Sequence, residues 1–359
     1  MRVTAPSAGI KLRKTGLDLN IAVLSVARRQ SLVLIILITC KGDFRHIELE
    51  GRIMLRKVIE CVPNFSTSDP ETVEAILYEV KKTANAHLLD YTYDDYYNRL
   101  VVSFAGDEGS VVQAALNSAE RAIELIDMKK HKGQHPRLGA VDVVPFIPIY
   151  STSMEDCVKA ARRFGQSLAQ RCDVPVYLYG AAARPERSDL DWIRKGEYEA
   201  LAEMIKRPER KPDFGPAKAH PTAGATITGA RKIMAGLNVN LGTSDLTIAK
   251  KIAKALHSKH GGFSAVKAMG AEIPEKGITQ IGMSITDFEK TPLYRIFEII
   301  KLEAERHNVP VVGSEFCGMA PLKSLIDIAA HYLKIDNLAD DRVLEIAIHR
   351  AMEKGEHSD

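Results

Sequence analysis

The apolar positions of this chain fall into two alternating rhythms from about residue 54 onward. "KVIEC" (57–61) is a short apolar run of the strand type. Asp69 and Pro70 then read as an N-cap and a first helical residue, followed by Val73, Ile76, Leu77 and Val80 at i, i+3, i+4, i+7. Two further strands are predicted at "AHLLDY" (86–91) and "RLVVSFAG" (99–106), and a long helix over about 108–127. "VDVVPFIPIY" (141–150) reads as the next strand. Ser153, with Asp156 three residues on, reads as a capping pair opening a helix, and "PVYLYG" (175–180) as a strand after it.

The second half repeats this order. "AGLNVNLG" (235–242) is a predicted strand, and Ala249, Ile252, Ala253 and Leu256 make a helix face. "SAVKAMGAEI" (264–273) and "ITQIGMSITDF" (278–288) give two strands. Thr291 and Pro292 open a helix carrying Leu293, Ile296, Phe297 and Ile300, and "VPVVGSEF" (309–316) closes the unit. Strand, helix, strand, strand, helix, strand is the split βαβ order of ferredoxin-like folds. The expected architecture is therefore α/β (α+β), a tandem duplication of two ferredoxin-like βαββαβ subdomains. Each would carry helices on one sheet face only, with a substrate cleft between the two.

The stretch "KRPERKPDFGPAKAHPTAGATITGARK" (206–232) joins the halves. Its prolines and glycines argue against a helix or central strand before about Ala225, leaving backbone amides free and the segment loosely held. Lys206, Arg207, Arg210, Lys211 and Lys218 concentrate positive charge where an anionic ligand could lie. On composition alone a solvated linker is the plainer reading.

Charge alters the picture mainly at the start. The chain of 359 residues has a formal charge of +3. Residues 1–53 hold nine Lys and Arg against four Asp and Glu, a surplus of five, so the remaining body is slightly acidic at −2. An acidic body argues against a general nucleic-acid binder, which depends on neutralising phosphates. "SLVLIILITC" (31–40) resembles the apolar core of a signal peptide, yet starts far from Met1, lacks a small-residue cleavage site and is too short to span a bilayer. Residues 1–53 are thus expected to be an extension outside the fold or an upstream start, with initiation at Met54. Five cysteines without CxxC spacing point to a reducing compartment and buried free thiols.

Candidate chemistry centres on "DMKKHKGQHPRLGAVDVVPFIP" (127–148). His131 and His135 are four apart, but Gly133 lies between them and Pro136 pushes His135 out of the α region, so a helical metal clamp is lost. No third ligand has a recognisable metal spacing, and "KGQHPRLG" is not a Walker loop. What is left is an extended histidine with Arg137 adjacent and Asp142 at the start of a strand. A positioned general base would look like this, and so would a surface histidine.

Further motifs occur in order along residues 54–359. They are "IECVPNFS" (59–66), the stretch just quoted, "VPVYLYG" (174–180), "GEYEAL" (196–201), "PDFGP" (212–216), "GARK" (229–232), "NVNL" (238–241) and "VVGSEFCGMAPLKSL" (311–325). Together they resemble the glutamate formimidoyltransferase family, whose domain also forms the front part of formimidoyltransferase-cyclodeaminase. The resemblance implies two ferredoxin-like subdomains, here 54–231 and 232–359, and the single-activity form. It places the catalytic histidine on His135 and makes His131 a bystander. The folate-binding segment falls on Gly215, Pro216, Ala217, Lys218, Ala219, His220, Pro221, Thr222, Ala223 and Gly224, which reverses the linker reading. Asn98, Arg99 and Arg137 fall in supporting positions. In "DYTYDDYYNR" (90–99) the sequence departs from the family's usual acidic run before "NR": Tyr97 stands where a histidine is common, and Asp90, Asp94 and Asp95 all compete as acidic partner.

The implied reaction suits these residue types. Nitrogen 5 of tetrahydrofolate attacks the amidine carbon of N-formimidoyl-L-glutamate, and the tetrahedral intermediate expels glutamate. An imidazole can take the proton from the attacking nitrogen and return it to the leaving one. The family implies tetrahydrofolate as co-substrate, no metal, no nucleic-acid or membrane partner, a homodimer and a cytoplasmic setting. A formyl donor, or glycine in place of glutamate, would use nearly the same site. A non-catalytic folate-binding protein is the reading from another class, and the presence of His135 counts against it.

Overall fold

The computed structural model describes residues 57–348, and ahead of them the backbone of four strands within 10–50. Those strands, β1 (Ile10–Lys14), β2 (Leu17–Arg28), β3 (Ser31–Cys40) and β4 (Asp43–Glu50), form an antiparallel meander in that order. The apolar run "SLVLIILITC" is thus a strand, β3. The proposed start at Met54 lies outside the described residues. No described helix is long and apolar enough to cross a membrane.

The main body is mixed α/β, with two sheets. The first is built from β5 (Ile59–Cys61), β6 (Asn64–Phe65), α1 (Pro70–Lys81), β7 (Ala86–Asp94), β8 (Arg99–Gly106), α2 (Glu108–Leu125), β9 (Val141–Pro148), α3 (Met154–Cys172), β10 (Val176–Gly180) and, later, β11 (Thr226–Ala230). Local chemistry accounts for the helix starts. Asp69 accepts from the Thr72 amide at 2.9 Å, and Ser153 with Asp156 forms the reciprocal capping box expected from the sequence.

β7 lies at one edge on β8, β8 pairs with β5 and β6, and these pair in turn with β9, all antiparallel. β11 and then β10 continue beyond β9 in parallel. The last part of the 206–232 segment is therefore sheet: 226–230 is an interior strand, buried throughout. β9 is buried on both faces, because the helices do not keep to one side. α1, α2 and α3 cover one face around Phe65, Phe104, Phe146 and Phe164. On the other face α4 (Leu190–Ile193) and α5 (Glu197–Met204), neither predicted, pack Ile193 and Leu201 against Val143, Tyr177 and Ile227.

The second sheet has the order β13-β14-β12-β15, all antiparallel, from β12 (Ala235–Leu241), β13 (Val266–Ile273), β14 (Ile278–Ile285) and β15 (Val311–Cys317). α6 (Leu246–Leu256) and α7 (Leu293–Glu305) bury Ile252, Leu256, Ile296 and Ile300 against Leu237, Val239, Ile281 and Met283. α8 (Leu322–Leu333) follows β15. Among the described cysteines Cys61 and Cys157 are buried, as expected, but Cys317 is exposed, because β15 is an edge strand with little covering it.

Candidate active site

The turn after β7 and the loop before β9 meet at one end of the first sheet. Gly133 is required there: a Cβ at this position would lie 2.3 Å from the Tyr97 carbonyl oxygen. Asn98, at φ +45°, accepts from the Ser68 amide at 2.9 Å and donates to the Lys132 carbonyl at 2.9 Å, clamping the two loops together.

His135 is half-buried in this junction, edge-on to the Tyr97 ring at 6.2 Å between centroids. Its Nδ1 lies 2.7 Å from the Pro136 carbonyl oxygen. A carbonyl only accepts, so Nδ1 carries the hydrogen and Nε2 the lone pair. Burial first, then the charges of Arg99 and Arg194, lower its pKa from 6.5 to about 4, so the imidazole is neutral at neutral pH. His131 is differently placed. Its Nε2 lies 2.9 Å from the Asn98 carbonyl and its Nδ1 accepts from Arg137 at 3.4 Å, so both nitrogens are occupied.

Beneath His135 lies a buried ion cluster. Asp142, fully buried, accepts from Arg99 Nη1 at 2.8 Å, from Arg194 Nη2 and from the Leu138 amide at 2.8 Å. Burial alone would push its carboxyl up, but the two guanidiniums and the amide hold it below the usual carboxylate range. Arg99 also donates to Asn64 Oδ1 through Nε and Nη2. One carboxylate against two guanidiniums leaves a net positive charge beside the imidazole.

This settles where the sequence-predicted residues lie. None of Asp90, Asp94 and Asp95 bonds to His135: Asp90 sits on β7 opposite Ser103, and Asp94 caps the turn by accepting from the Tyr97 amide at 2.8 Å. The carboxylate whose charge acts on His135 is Asp142, and it serves the arginines, while a backbone carbonyl fixes the His135 tautomer. Arg137 supports His131 and is itself held by Glu197 at 2.8 Å and Glu199 at 2.5 Å. Arg194, at the C-terminal end of α4, was not predicted, since a four-residue helix leaves no periodic signal.

The 215–224 segment is tied down at its second half, contrary to the loose loop expected. His220 and Gly224 exchange backbone hydrogen bonds at 2.9 and 3.2 Å, and the Ala223 amide donates to His220 Nδ1 at 3.0 Å. Gly224 adopts φ +71° and lies against Gly139. Ala225 donates to the Leu138 carbonyl and Ala140 to the Ala223 carbonyl, so this half is stitched to the strand entry three residues after His135. The amides of Ala217, Lys218 and Ala219 have no protein partner among the described residues, and Ala217 and Lys218 are exposed. Of the cations expected to face a ligand, Arg210 does not: its guanidinium stacks on Trp192 at 3.5 Å and donates to the Trp192 carbonyl. Lys206 pairs with Glu203 at 2.7 Å.

Comparison with known proteins adds what geometry alone does not. A family model described as "Formiminotransferase domain, N-terminal subdomain" matches residues 58–231, and one described as "Formiminotransferase domain" matches 236–354. The chain belongs to the formiminotransferase family. It is 43% identical over 301 residues to a glutamate formimidoyltransferase of Thermoplasma acidophilum, covering 83% of this chain and 98% of that one. A glutamate formimidoyltransferase of Streptococcus pyogenes is 41% identical over 285 residues, 79% of this chain and 95% of its own. The formimidoyltransferase-cyclodeaminase of Mus musculus is 43% identical over 307 residues, 82% of this chain and 57% of its own length. The formiminotransferase unit thus spans both sheets, with the His135 cluster in its N-terminal part.

Proposed function

We propose that this protein is a glutamate formimidoyltransferase, moving the formimidoyl group from N-formimidoyl-L-glutamate to nitrogen 5 of tetrahydrofolate. The observation that carries the reading is the state of His135: neutral, oriented through Nδ1 by the Pro136 carbonyl, and presenting Nε2 as a base beside a cationic cluster. Nitrogen 5 attacks the amidine carbon, forming the new C–N bond, and Nε2 takes the proton that this nitrogen loses. The imidazolium then donates its proton to the glutamate nitrogen as the old C–N bond breaks, which returns His135 to its starting state. The net positive Arg99–Asp142–Arg194 cluster suits a donor that carries two carboxylates. The open amides of Ala217, Lys218 and Ala219, with the exposed Lys218 ammonium, suit the anionic tail of a folate.

The same reading makes each sheet with its helices a ferredoxin-like unit. In both, the second strand pairs with the third, the third with the first and the first with the fourth, and β11 and β10 extend the first unit. It also carries a homodimer, a cytoplasmic setting and an active unit that begins at Met54. The test is transfer itself: tetrahydrofolate is incubated with formimidoylglutamate, formylglutamate and formimidoylglycine in parallel. Release of glutamate with formation of 5-formimidoyltetrahydrofolate is expected from the first alone. Turnover of another donor in preference would replace the reading.

A further inference from the structure

The motifs "VPVYLYG" and "GARK" meet on the outer face of the first sheet. Tyr179 lies opposite Gly229, and Gly229 opposite Pro145, in one row across β10, β11 and β9. A Cβ at Gly229 would stand 2.6 Å from the Tyr179 ring, so the missing side chain lets that ring lie over β11. Residues two apart on a strand share a face, which puts Arg231 beside the ring and in the next row with Ile147 and Glu60.

The polar groups gathered here are largely uncommitted. Of the five N–H donors of Arg231, one is engaged, from Nη1 to the Lys232 carbonyl at 3.0 Å, and the guanidinium turns to the Tyr179 hydroxyl. Burial pushes the Tyr179 phenol up, and the charges of Arg231 and then Arg194 oppose it, so the hydroxyl lies between two guanidiniums. Arg194 Nε is buried without a hydrogen-bond partner among the described residues, although Nη2 holds Asp142. The Glu60 carboxylate, which burial pushes up and the Arg231 charge lowers, has no partner among them either. These groups continue the His135 site along the sheet, since the charge of Arg194 acts on both His135 and Tyr179. Asp142 and Ile147 are five residues apart on β9, roughly 16 Å of strand, and Tyr179 stands level with Pro145 between them.

We propose that Arg231 and Tyr179 form the seat of the donor's side-chain carboxylate while the amidine carbon is held at His135, so that they select glutamate as the amino acid. The inference rests on the formimidoyltransferase reading and separates the donor's two carboxylates. In N-formimidoyl-L-glutamate the reacting nitrogen and one carboxylate share a carbon, and the second carboxylate stands three carbons further out. The first falls to the cations beside His135, the second to the guanidinium and phenol beyond them. Arginine gives a carboxylate two parallel N–H bonds, and the phenol adds a third donor. Glu60, across Ile147, repels a carboxylate carried further out and so limits the length of the acid. A donor without the second carboxylate leaves the Arg231 guanidinium unpaired and loses affinity on that account.

The experiment compares N-formimidoyl-L-glutamate with N-formimidoyl-L-glutamine, its uncharged isostere, as donors to tetrahydrofolate for the wild type, Arg231→Met and Tyr179→Phe. The wild type should favour the acid by about a hundredfold or more in kcat/KM. Arg231→Met should raise the KM for formimidoylglutamate about tenfold or more, keep the KM for tetrahydrofolate within about twofold, and cut the preference to about tenfold or less. Tyr179→Phe keeps the ring over Gly229 and removes the hydroxyl; its preference should fall about threefold or more, and it decides the case if Arg231→Met does not fold. An unchanged preference in the folded variants, or a rise confined to the tetrahydrofolate KM, would overturn the seat. Failure of the wild type to transfer from formimidoylglutamate at all would instead sink the parent reading.

Discussion

Replacing Arg194 by Met tests whether the cationic cluster sets the basicity of His135. The side chain is almost fully buried and shares Asp142 with Arg99. Methionine keeps most of the apolar stem and removes the charge, leaving Asp142 with Arg99 and the Leu138 amide. Because two partners remain, the cost in stability should be about 1–3 kcal/mol, below that of stripping a buried charge bare. The effect on His135 has a definite sign. Arg194 is one of two cations that oppose protonation of this imidazole, after burial. Its loss therefore raises the His135 pKa toward 6.5. A single nearby charge, screened as in a partly buried site, contributes on the order of 1 kcal/mol, or close to one pH unit.

The assay is kcat/KM against pH for wild type and variant, with urea unfolding to confirm that Arg194→Met is folded. A group depressed to about 4 in the free enzyme leaves the wild-type base unprotonated through pH 6.5 and loses it only toward pH 4. The variant's acid limb should lie higher by up to about one unit. Substrate ionisations are common to both enzymes, so the displacement between the two curves belongs to the protein. An acid limb that stays put, or moves to lower pH, would refute the argument that the cluster tunes His135.

Three other outcomes are expected. His135→Ala should lower turnover by about 10²-fold or more while folate binding, followed by equilibrium titration, is largely kept, and His131→Ala should cost only about 1 kcal/mol of stability with little change in kcat. In hydrogen exchange the amides of Ala223, Gly224 and Ala225 should already be protected without ligand, and those of 217–219 should slow on adding tetrahydrofolate; the reverse order would contradict the hydrogen bonding of this segment. A chain beginning at Met54 should match the full chain in kcat/KM, and loss of activity on truncation would show that residues 1–53 take part.

The periodic elements were legible because burial writes a repeat into the sequence. Val73, Ile76, Leu77 and Val80 all reach the core from one face of α1, and Ala249, Ile252, Ala253 and Leu256 do so from α6. β11 was hidden because Thr226 to Ala230 is an uninterrupted buried stretch of small and β-branched residues next to a proline- and glycine-rich segment, with no alternation to mark it. α4 and α5 are too short for a moment to show. Their identity as structure comes from tertiary contacts, such as Ile193 and Leu201 meeting the outer face of β9, β10 and β11.

The same limit explains which parts of the site were readable. His135 could be singled out because Pro136 and Gly133 act locally on its backbone, and local rules are visible in sequence. Arg194 and Asp142 are 52 residues apart and meet only because α4 is fixed from several sides. Trp192 lies under the Arg210 guanidinium, Ile193 is sunk in the core, and Asp191 binds Lys259 at 2.7 Å and Lys267 at 3.1 Å from the second sheet's part of the chain. Four consecutive residues, 191–194, therefore join the start of the 206–232 segment, the sheet core, the second subdomain and the ion cluster beside His135. The exposed Asp191 pairs contribute little to stability, about 0–1 kcal/mol each, so their consequence is positional. They anchor α4 three residues before Arg194, whose guanidinium reaches Asp142 and opposes protonation of His135.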